Sequence, residues 1–413
     1  MIVSLDKITG AMQKVKSFAQ DIKEVPGVLL KLGDGTIEVC YSDGKKSIVE
    51  KIEAVMQEGE QLGDIIVPYQ MFMDIINVCQ PTSVIECDDL TITVKENNIL
   101  SIETTKYSIV GREVDGEIEA ERKPVSSFKQ EIKYSRPDEN IRYGILSRMD
   151  YDSIFESDKS DVWEKSVLQD TLSRVNKEDG KVCYFSGKLK AAFVVNVGHT
   201  IYIPKDEVDE CGFSVSSNVA KYLVEILGKT DADKVQVSTE DVRYCKITTP
   251  DETVGIWFEM ASGLNMDAAS LKAYESKQYE QYQFVFNRYA LQDVVKRAIT
   301  SDTTDTTSLT FSVDGDNLVV SIVHGGTSSK SKSFYVIAES FTDNTGKLLD
   351  TKIPVSLKAL NDIIDNCAGD YLLVDVADNE KEKCLRCMDV VGKDQFDKPI
   401  AGALYYTISA KGQ

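Results

Sequence analysis

"IPVSLKALNDIIDNC", residues 353–367, has a β-compatible lead-in, a serine at a helix-capping position (Ser356), and apolar residues that return every three or four places. That combination predicts a capped helix with one buried face. Nearly the same pattern is written twice more, as "IVPYQMFMDIINVC" at 66–79 and "FSVSSNVAKYLVEIL" at 213–227. With Val67, Val215 and Val355 taken as equivalent, the stripe continues through Met71, Val219 and Ala359, then Ile75, Leu223 and Ile363. It goes on through Ile76, Val224 and Ile364 and ends at Cys79, Leu227 and Cys367. These offsets share one helical face. The copies stand about 140 to 150 residues apart, an interval of domain size.

A second landmark keeps step with the first. The stretches 28–49, 170–194 and 308–326 each place an Asp-Gly pair, beginning at Asp34, Asp179 and Asp314, between alternating β-rich runs. This is the pattern of a β-hairpin. A third landmark is an earlier helix, clear at 3–22 (Ile8, Met12, Val15 and Phe18 on one face) and at 284–300 (Leu291, Val294, Val295, Ala298, Ile299). In the middle copy the corresponding segment is "ILSRMDYDSIFES", 145–157, whose periodicity is poorer. Each copy then reads as helix, hairpin and further strand, helix, and about three more strands. Polar, aperiodic stretches at 115–140 and 264–282 read as linkers. The expectation is an α+β protein of three tandem domains, 1–120, 121–264 and 265–413, each with two helices packed on antiparallel sheet.

Composition bounds the function. A chain of 413 residues exceeds one ordinary core, and 42% hydrophobic with 28% charged residues is globular. A formal charge of -20 excludes a wholesale nucleic-acid coat or a membrane-surface binder, either of which needs a cationic face, and is compatible with local basic patches. The start "MIVSLDKITG" has no export signal pattern, and no apolar run approaches the roughly 18 residues of a membrane span. Nine scattered cysteines suit a reducing compartment, so a cytoplasmic protein is expected.

Catalytic patterns are weak. The two histidines, His199 and His324, fall in different copies, which disfavours a His-centred triad or a multi-His metal site. "CLRC" at 384–387 lacks a second pair, and Asp88 with Asp89 reads as a solvated turn. No glycine loop of phosphate-cradling type is present. The expectation is a protein that is not an enzyme and needs no cofactor and no metal.

The order and spacing of "DGTIEVCYSD" (34–43), "FVFNRYALQDVVKRAI" (284–299) and "IPVSLKALNDIID" (353–365) resemble the bacterial DNA sliding clamp, the beta subunit of DNA polymerase III, and the resemblance spans the whole chain. It implies a processivity factor, a closed ring of two chains joined head to tail through sheet edges, with helices lining a hole around duplex DNA. It implies a homodimer, sequence-independent and topological DNA binding, and partners among DNA polymerases and clamp-loader peptides. On the helices it points to Lys14, Lys16 and Lys23 in the first copy, Arg148 and Lys221 in the second, and Arg288, Lys296, Arg297 and Lys358 in the third as DNA-lining groups. For any one of these, a solvated helix face is the commoner reading.

The family's partner-peptide pocket lies between its second and third domains. Aligning the three Asp-Gly turns implies Gly187, Leu189 and Ala192 at the hairpin exit, Met266 and Leu271 in the linker, and Tyr405 and Thr407 on the last strand. The family's Gly-His pair at that exit has a counterpart in Gly198 and His199, which the Asp-Gly register sets aside because it falls eleven residues away. The family's C-terminal Met-Pro or Leu-Pro is replaced by "YYTISAKGQ". The rival expectation is a structural or adhesive protein of three α+β modules with no role on DNA.

Overall fold

The computed structural model describes the chain except residues 20–26, 57–62, 115–116, 138–144, 146–147, 176–181, 197–198, 210, 241–242, 262–281, 302–306, 315–316, 325–332, 344–351, 356, 368, 379–382, 394–398 and 410–413. One order of elements occurs three times. The first run is β1 (Ile2–Ser4), α1 (Leu5–Phe18), β2 (Val28–Gly33), β3 (Thr36–Ser42), β4 (Lys46–Val55), β5 (Gly63–Val67), α2 (Tyr69–Cys79), β6 (Ile85–Glu86), β7 (Asp89–Lys95), β8 (Ile99–Val114) and β9 (Glu117–Lys133). The second is β10 (Asp161–Glu164), α3 (Lys165–Ser173), β11 (Val182–Ser186), β12 (Ala191–Asn196), β13 (His199–Pro204), β14 (Phe213–Ser216), α4 (Ser217–Gly228), β15 (Lys234–Glu240), β16 (Tyr244–Thr248) and β17 (Val254–Glu259). The third is β18 (Tyr282–Asn287), α5 (Arg288–Ser301), β19 (Thr307–Asp314), β20 (Asn317–His324), β21 (Ser333–Ile337), β22 (Ser340–Asp343), β23 (Lys352–Val355), α6 (Leu357–Asn366), β24 (Tyr371–Asp378), β25 (Lys383–Lys393) and β26 (Pro399–Ser409).

By its contacts the chain forms two compact units, Met1–Asp170 with Lys221–Met260, and Thr171–Ala220 with Ala261–Gln413. The division falls inside α3 and α4, so the expected middle domain, 121–264, is shared between both units. In the first unit one sheet runs β10-β15-β16-β17-β4-β1-β7-β8-β6, with β3, β2 and β5 following from β4 and β9 paired to β8. In the second unit a nine-stranded sheet runs β14-β11-β12-β13-β26-β25-β24-β18-β22, and a four-stranded sheet runs β21-β20-β19-β23. Every pairing between named strands is antiparallel.

The helices form where the periodicity asks for them. Ser4 caps α1 by accepting the Lys7 amide, and Leu5, Ile8, Met12, Val15 and Phe18 are buried. In α6 Ala359, Ile363 and Ile364 are buried, as the stripe predicts, and Leu360, outside the stripe, is buried with them. In α2 the stripe turns by one position: Phe72 is buried and Met71 is exposed.

Three local expectations are corrected. The stretch 115–140 is not a linker over most of its length: β9 occupies it, paired with β8 on both sides of a break in register at Val125. Its alternation is hidden because its outer positions carry Lys, Glu and Ser. The middle copy's first helix is α3, not 145–157. With nine residues α3 is too short to display a full face, although Leu168 and Leu172 are buried. The hairpin turn of the middle copy lies at 187–190, between β11 and β12, and not at Asp179–Gly180, which falls outside the described residues. Asp34–Gly35 does join β2 to β3, with Gly35 at φ 78°, and β19 ends at Asp314 opposite Asn317.

The segment read as the middle helix has a different task. A single 3-10 turn at Asp152–Ile154 lies on the face of β3, β4 and β17 opposite to Tyr41 and Ile48, with Tyr151 and Ile154 buried. Lys31 Nζ meets Asp152 at 2.9 Å, Lys246 Nζ donates to the Ser153 carbonyl at 2.7 Å, and Lys51 stands 4.1 Å from the centre of the Phe155 ring. Gly255 permits this approach: a Cβ there would stand 2.7 Å from Ile154 Cγ2 and 3.0 Å from the Phe155 ring. Gly255→Val is therefore expected to cost about 1 to 3 kcal/mol by overpacking. A urea melt would show it as a lowered midpoint, partly restored by adding Ile154→Ala.

Candidate nucleic-acid interface and peptide groove

The predicted DNA-lining cations separate into three groups. Lys16 on α1, Lys221 on α4, Lys296 and Arg297 on α5, and Lys358 on α6 are exposed on helices of the repeat. Lys296 stands 3.7 Å from Asp365 and Arg297 2.8 Å from Asp293. Exposed pairs like these contribute little to stability and yield readily to a phosphate.

Three do not fit the role. Lys14 is buried, its ammonium 2.7 Å from Glu50 Oε1. Burial raises the Glu50 carboxyl from its ordinary range, and Lys14 acts against that rise. The three-residue offset from Ala11 already puts Lys14 on the apolar side. Arg288 is half-buried at the start of α5, where its guanidinium donates to the Cys367 carbonyl just past α6 and lies 4.7 Å from the Tyr289 ring. Arg148 is exposed but precedes the 3-10 turn and is not on a helix of the repeat. Lys23 lies outside the described residues.

A cation that sequence reasoning missed sits inside the first unit. Lys46 Nζ lies 3.6 Å from the Tyr222 ring centre and 5.2 Å from that of Phe18, both rings buried. It is a structural cation–π contact and not a surface charge. Over the helices as a whole basic residues slightly outnumber acidic ones, while the chain carries -20. The acidic excess therefore belongs to strands and connections.

The predicted pocket residues meet the register of β12, β13 and β26. Phe193 lies opposite Tyr202, and Tyr202 opposite Tyr405. The same row continues through Met388, Leu373 and Val285 on β25, β24 and β18. Leu189, in the turn that begins at Gly187, packs with Tyr184 against Ala191, Phe193 and Tyr202. The rings are close, Phe193 to Tyr202 at 5.4 Å and Tyr184 to Phe193 at 6.4 Å.

Ala192 is corrected: it is fully buried, and strand alternation puts it on the opposite face from Ala191 and Phe193. Thr407 stands between Thr200 and Arg386, one step along the same face as Tyr405. Beside it, Arg386 and Asp375 form a buried cross-strand pair at 2.6 Å, with Gln283 Nε2 3.0 Å from the same carboxylate. Met266 and Leu271 lie outside the described residues.

The Gly-His pair returns to consideration. The connection between β12 and β13 is 197–198, and His199 opens β13 opposite Asn196 and Ile408. It is the counterpart of the turn at Asp43–Gly44 between β3 and β4, where Gly44 has φ 88°. The register that set Gly198 and His199 aside rested on Asp179–Gly180, which is not the turn between β11 and β12. Counting strands from the helix, rather than matching Asp-Gly pairs, would have found them.

Other chemistry is sparse. Asp88 is 2.7 Å from Arg122, and the Cys387 thiol is fully buried, which raises its pKa well above the usual range. Among the described residues no cluster of three His, Cys, Asp or Glu side chains could hold a metal, and no helix is long and apolar enough to cross a membrane.

No protein-family model matches the sequence, and no curated protein matches it either. Solved structures do. The beta subunit of DNA polymerase from Streptococcus pyogenes superposes with a TM-score of 0.68 at 11% identity, covering 100% of this chain and 99% of that one. The DNA polymerase sliding clamp from Bacillus subtilis gives 0.68 at 12% identity over 100% and 98%. A Pseudomonas aeruginosa sliding clamp bound to griselimycin gives 0.66 at 13% identity over 100% and 99%. The chain has the sliding-clamp fold.

Proposed function

We propose that this protein is a DNA sliding clamp: a ring of two chains, each of three domains, that encircles duplex DNA and tethers a polymerase without performing chemistry. The observation that carries the reading is the way the repeats join. The third hairpin strand of the first run, β4, pairs with the last strand of the second, β17, and the third hairpin strand of the second run, β13, pairs with the last strand of the third, β26. The same rule applied once more leaves β21 and β9 over. Among the described residues β21 pairs only with β20, and β9 only with β8. A contact of this head-to-tail kind either propagates or closes, and closure with a second copy uses up both edges.

This reading keeps the three domains expected as 1–120, 121–264 and 265–413, but moves the first boundary past β9, which ends at Lys133. Lys16, Lys23, Lys221, Lys296, Arg297 and Lys358 would meet phosphates without reading sequence, while acidic residues elsewhere repel stray DNA. Polymerase and loader peptides would dock against the face holding Leu189, Tyr202 and Tyr405, beside Gly187, Thr407, the Gly198–His199 turn and the stretch with Met266 and Leu271. Apolar burial of a few anchor side chains would supply most of their affinity. The reading makes the protein cytoplasmic. Retention on closed circular against linear duplex tests it.

A further inference from the structure

The hairpin β8–β9 is longer than the repeat requires. The corresponding strands β16 and β17 end at Thr248 and resume at Val254, whereas β8 and β9 run for 16 and 17 residues. A shared contact sets the equivalence. Ser135, just past β9, exchanges backbone hydrogen bonds of 2.7 and 2.9 Å with Ile66 on β5, as Ala261, just past β17, donates to Ser214 on β14. Counting back from these, β17 corresponds to 128–133, and the part of β9 before it has no counterpart.

The extra ribbon begins at a break in register between Lys106 and Tyr107. Its base is held: β6 pairs with Tyr107 and Ser108, and Arg122 reaches Glu86 at 3.0 Å and Asp88 at 2.7 Å across the Tyr107 ring, whose centre lies 4.6 Å away. Beyond that base the described residues show only two strands. Ile109 and Val110 are exposed there, at 53% and 40%, and Val125 is exposed at the register break itself, at 51%. A two-stranded ribbon with apolar side chains in water has little stability of its own.

We propose that the two strands of the ribbon, 107–114 and 117–125, lie against the third repeat of a second copy of this chain, covering Tyr335, Ile337 and Phe341 next to the β9–β21 pairing. The inference rests on the ring reading above. Direction supports it. Along β4, Lys46 stands opposite Phe258 and Glu50 opposite Val254, so the later end of a third hairpin strand meets the earlier end of its partner. Register agrees: β4 meets β1 through Val55 and Ile2, as β22 meets β18 through Ser340 and Val285. That correspondence sets Tyr335 opposite Phe128 and Ile337 opposite Ser126, where the ribbon starts. Three large apolar side chains are exposed at that end, Tyr335 at 63%, Ile337 at 58% and Phe341 at 39%.

The test is the dimer dissociation constant of the full chain by sedimentation, against a variant in which an Asn-Gly turn replaces residues 109–122 and joins Ser108 to Lys123. The constant is expected to rise by about tenfold or more, the equivalent of about 1.4 kcal/mol. A second variant, Val125→Cys with Ile337→Cys, should be joined between chains by a short bis-maleimide; eight native cysteines are buried and leave a low background. An unchanged constant in the shortened chain, or a dimer that does not cross-link, overturns the ribbon and leaves the ring standing. A full-length chain that stays monomeric at tens of micromolar overturns the ring reading and the ribbon with it.

Discussion

Tyr335→Glu combined with Ile337→Glu is expected to turn the proposed dimer into monomers of 45.9 kDa, raising its dissociation constant by about 100-fold or more. Both side chains are more than half exposed, so neither substitution opens a core. In the ring they stand on the edge strand that meets β9, where two carboxylates would be desolvated without partners. Thermal unfolding monitored at dilutions that keep both proteins monomeric should coincide. Light scattering at micromolar concentration gives the readout. A doubly substituted protein that remains as firmly dimeric as the parent would place the joint elsewhere on the surface.

Arg386→Ala should produce the largest loss of stability from a single side chain. Asp375 is fully buried, and its Oδ2 accepts from Arg386 Nη2 at 2.6 Å and Nε at 3.1 Å. Removing the guanidinium leaves a buried carboxylate without its cation, at a cost of about 3 to 5 kcal/mol, although Gln283 still donates to it. Replacing both partners together, Arg386→Met with Asp375→Leu, should recover most of that loss, since no charge then remains buried. Denaturant melts of the single and double variants decide it. A single variant within about 0.5 kcal/mol of the parent, the range of ordinary surface changes, would mean that the pair is hydrated and unimportant.

What could be read from the sequence, and what could not, follows from how each signal arises. The second helices were legible because four buried positions on a regular spacing, such as Ala359, Leu360, Ile363 and Ile364, leave a strong 3.6-residue trace. The helix α3 leaves almost none, since its nine residues hold three fully buried positions, Leu168, Thr171 and Leu172, and one of these is polar. The strand β9 was missed because most of its side chains over 121–131 are exposed, so polar residues fill both its faces and no alternation marks it.

The candidate site was legible only in part. Exposed cations such as Lys221 and Lys358 are legible from their place on a helix, whereas Lys14 shares the apolar side with Ala11, and its partner Glu50 comes from a strand that the helical spacing does not reveal. The groove was misregistered for a different reason. An Asp-Gly pair is a turn signal wherever it stands, and in the middle copy it precedes β11 instead of joining it to β12. The Asp-Gly register points to Ala192, which faces away from the groove, whereas Tyr202 lies in the aromatic row.

The central claim is that the protein holds DNA by enclosing it. Its most direct test is to load the protein on nicked circular duplex, raise the salt until electrostatic contacts are screened, and then linearise the circle with a restriction enzyme. The account predicts that the protein stays on the closed circle through the salt wash and leaves, within the dead time of a filtration step, once the DNA has ends. Loss from the circle at the same salt as from a linear duplex, or retention on the linear product, would contradict it.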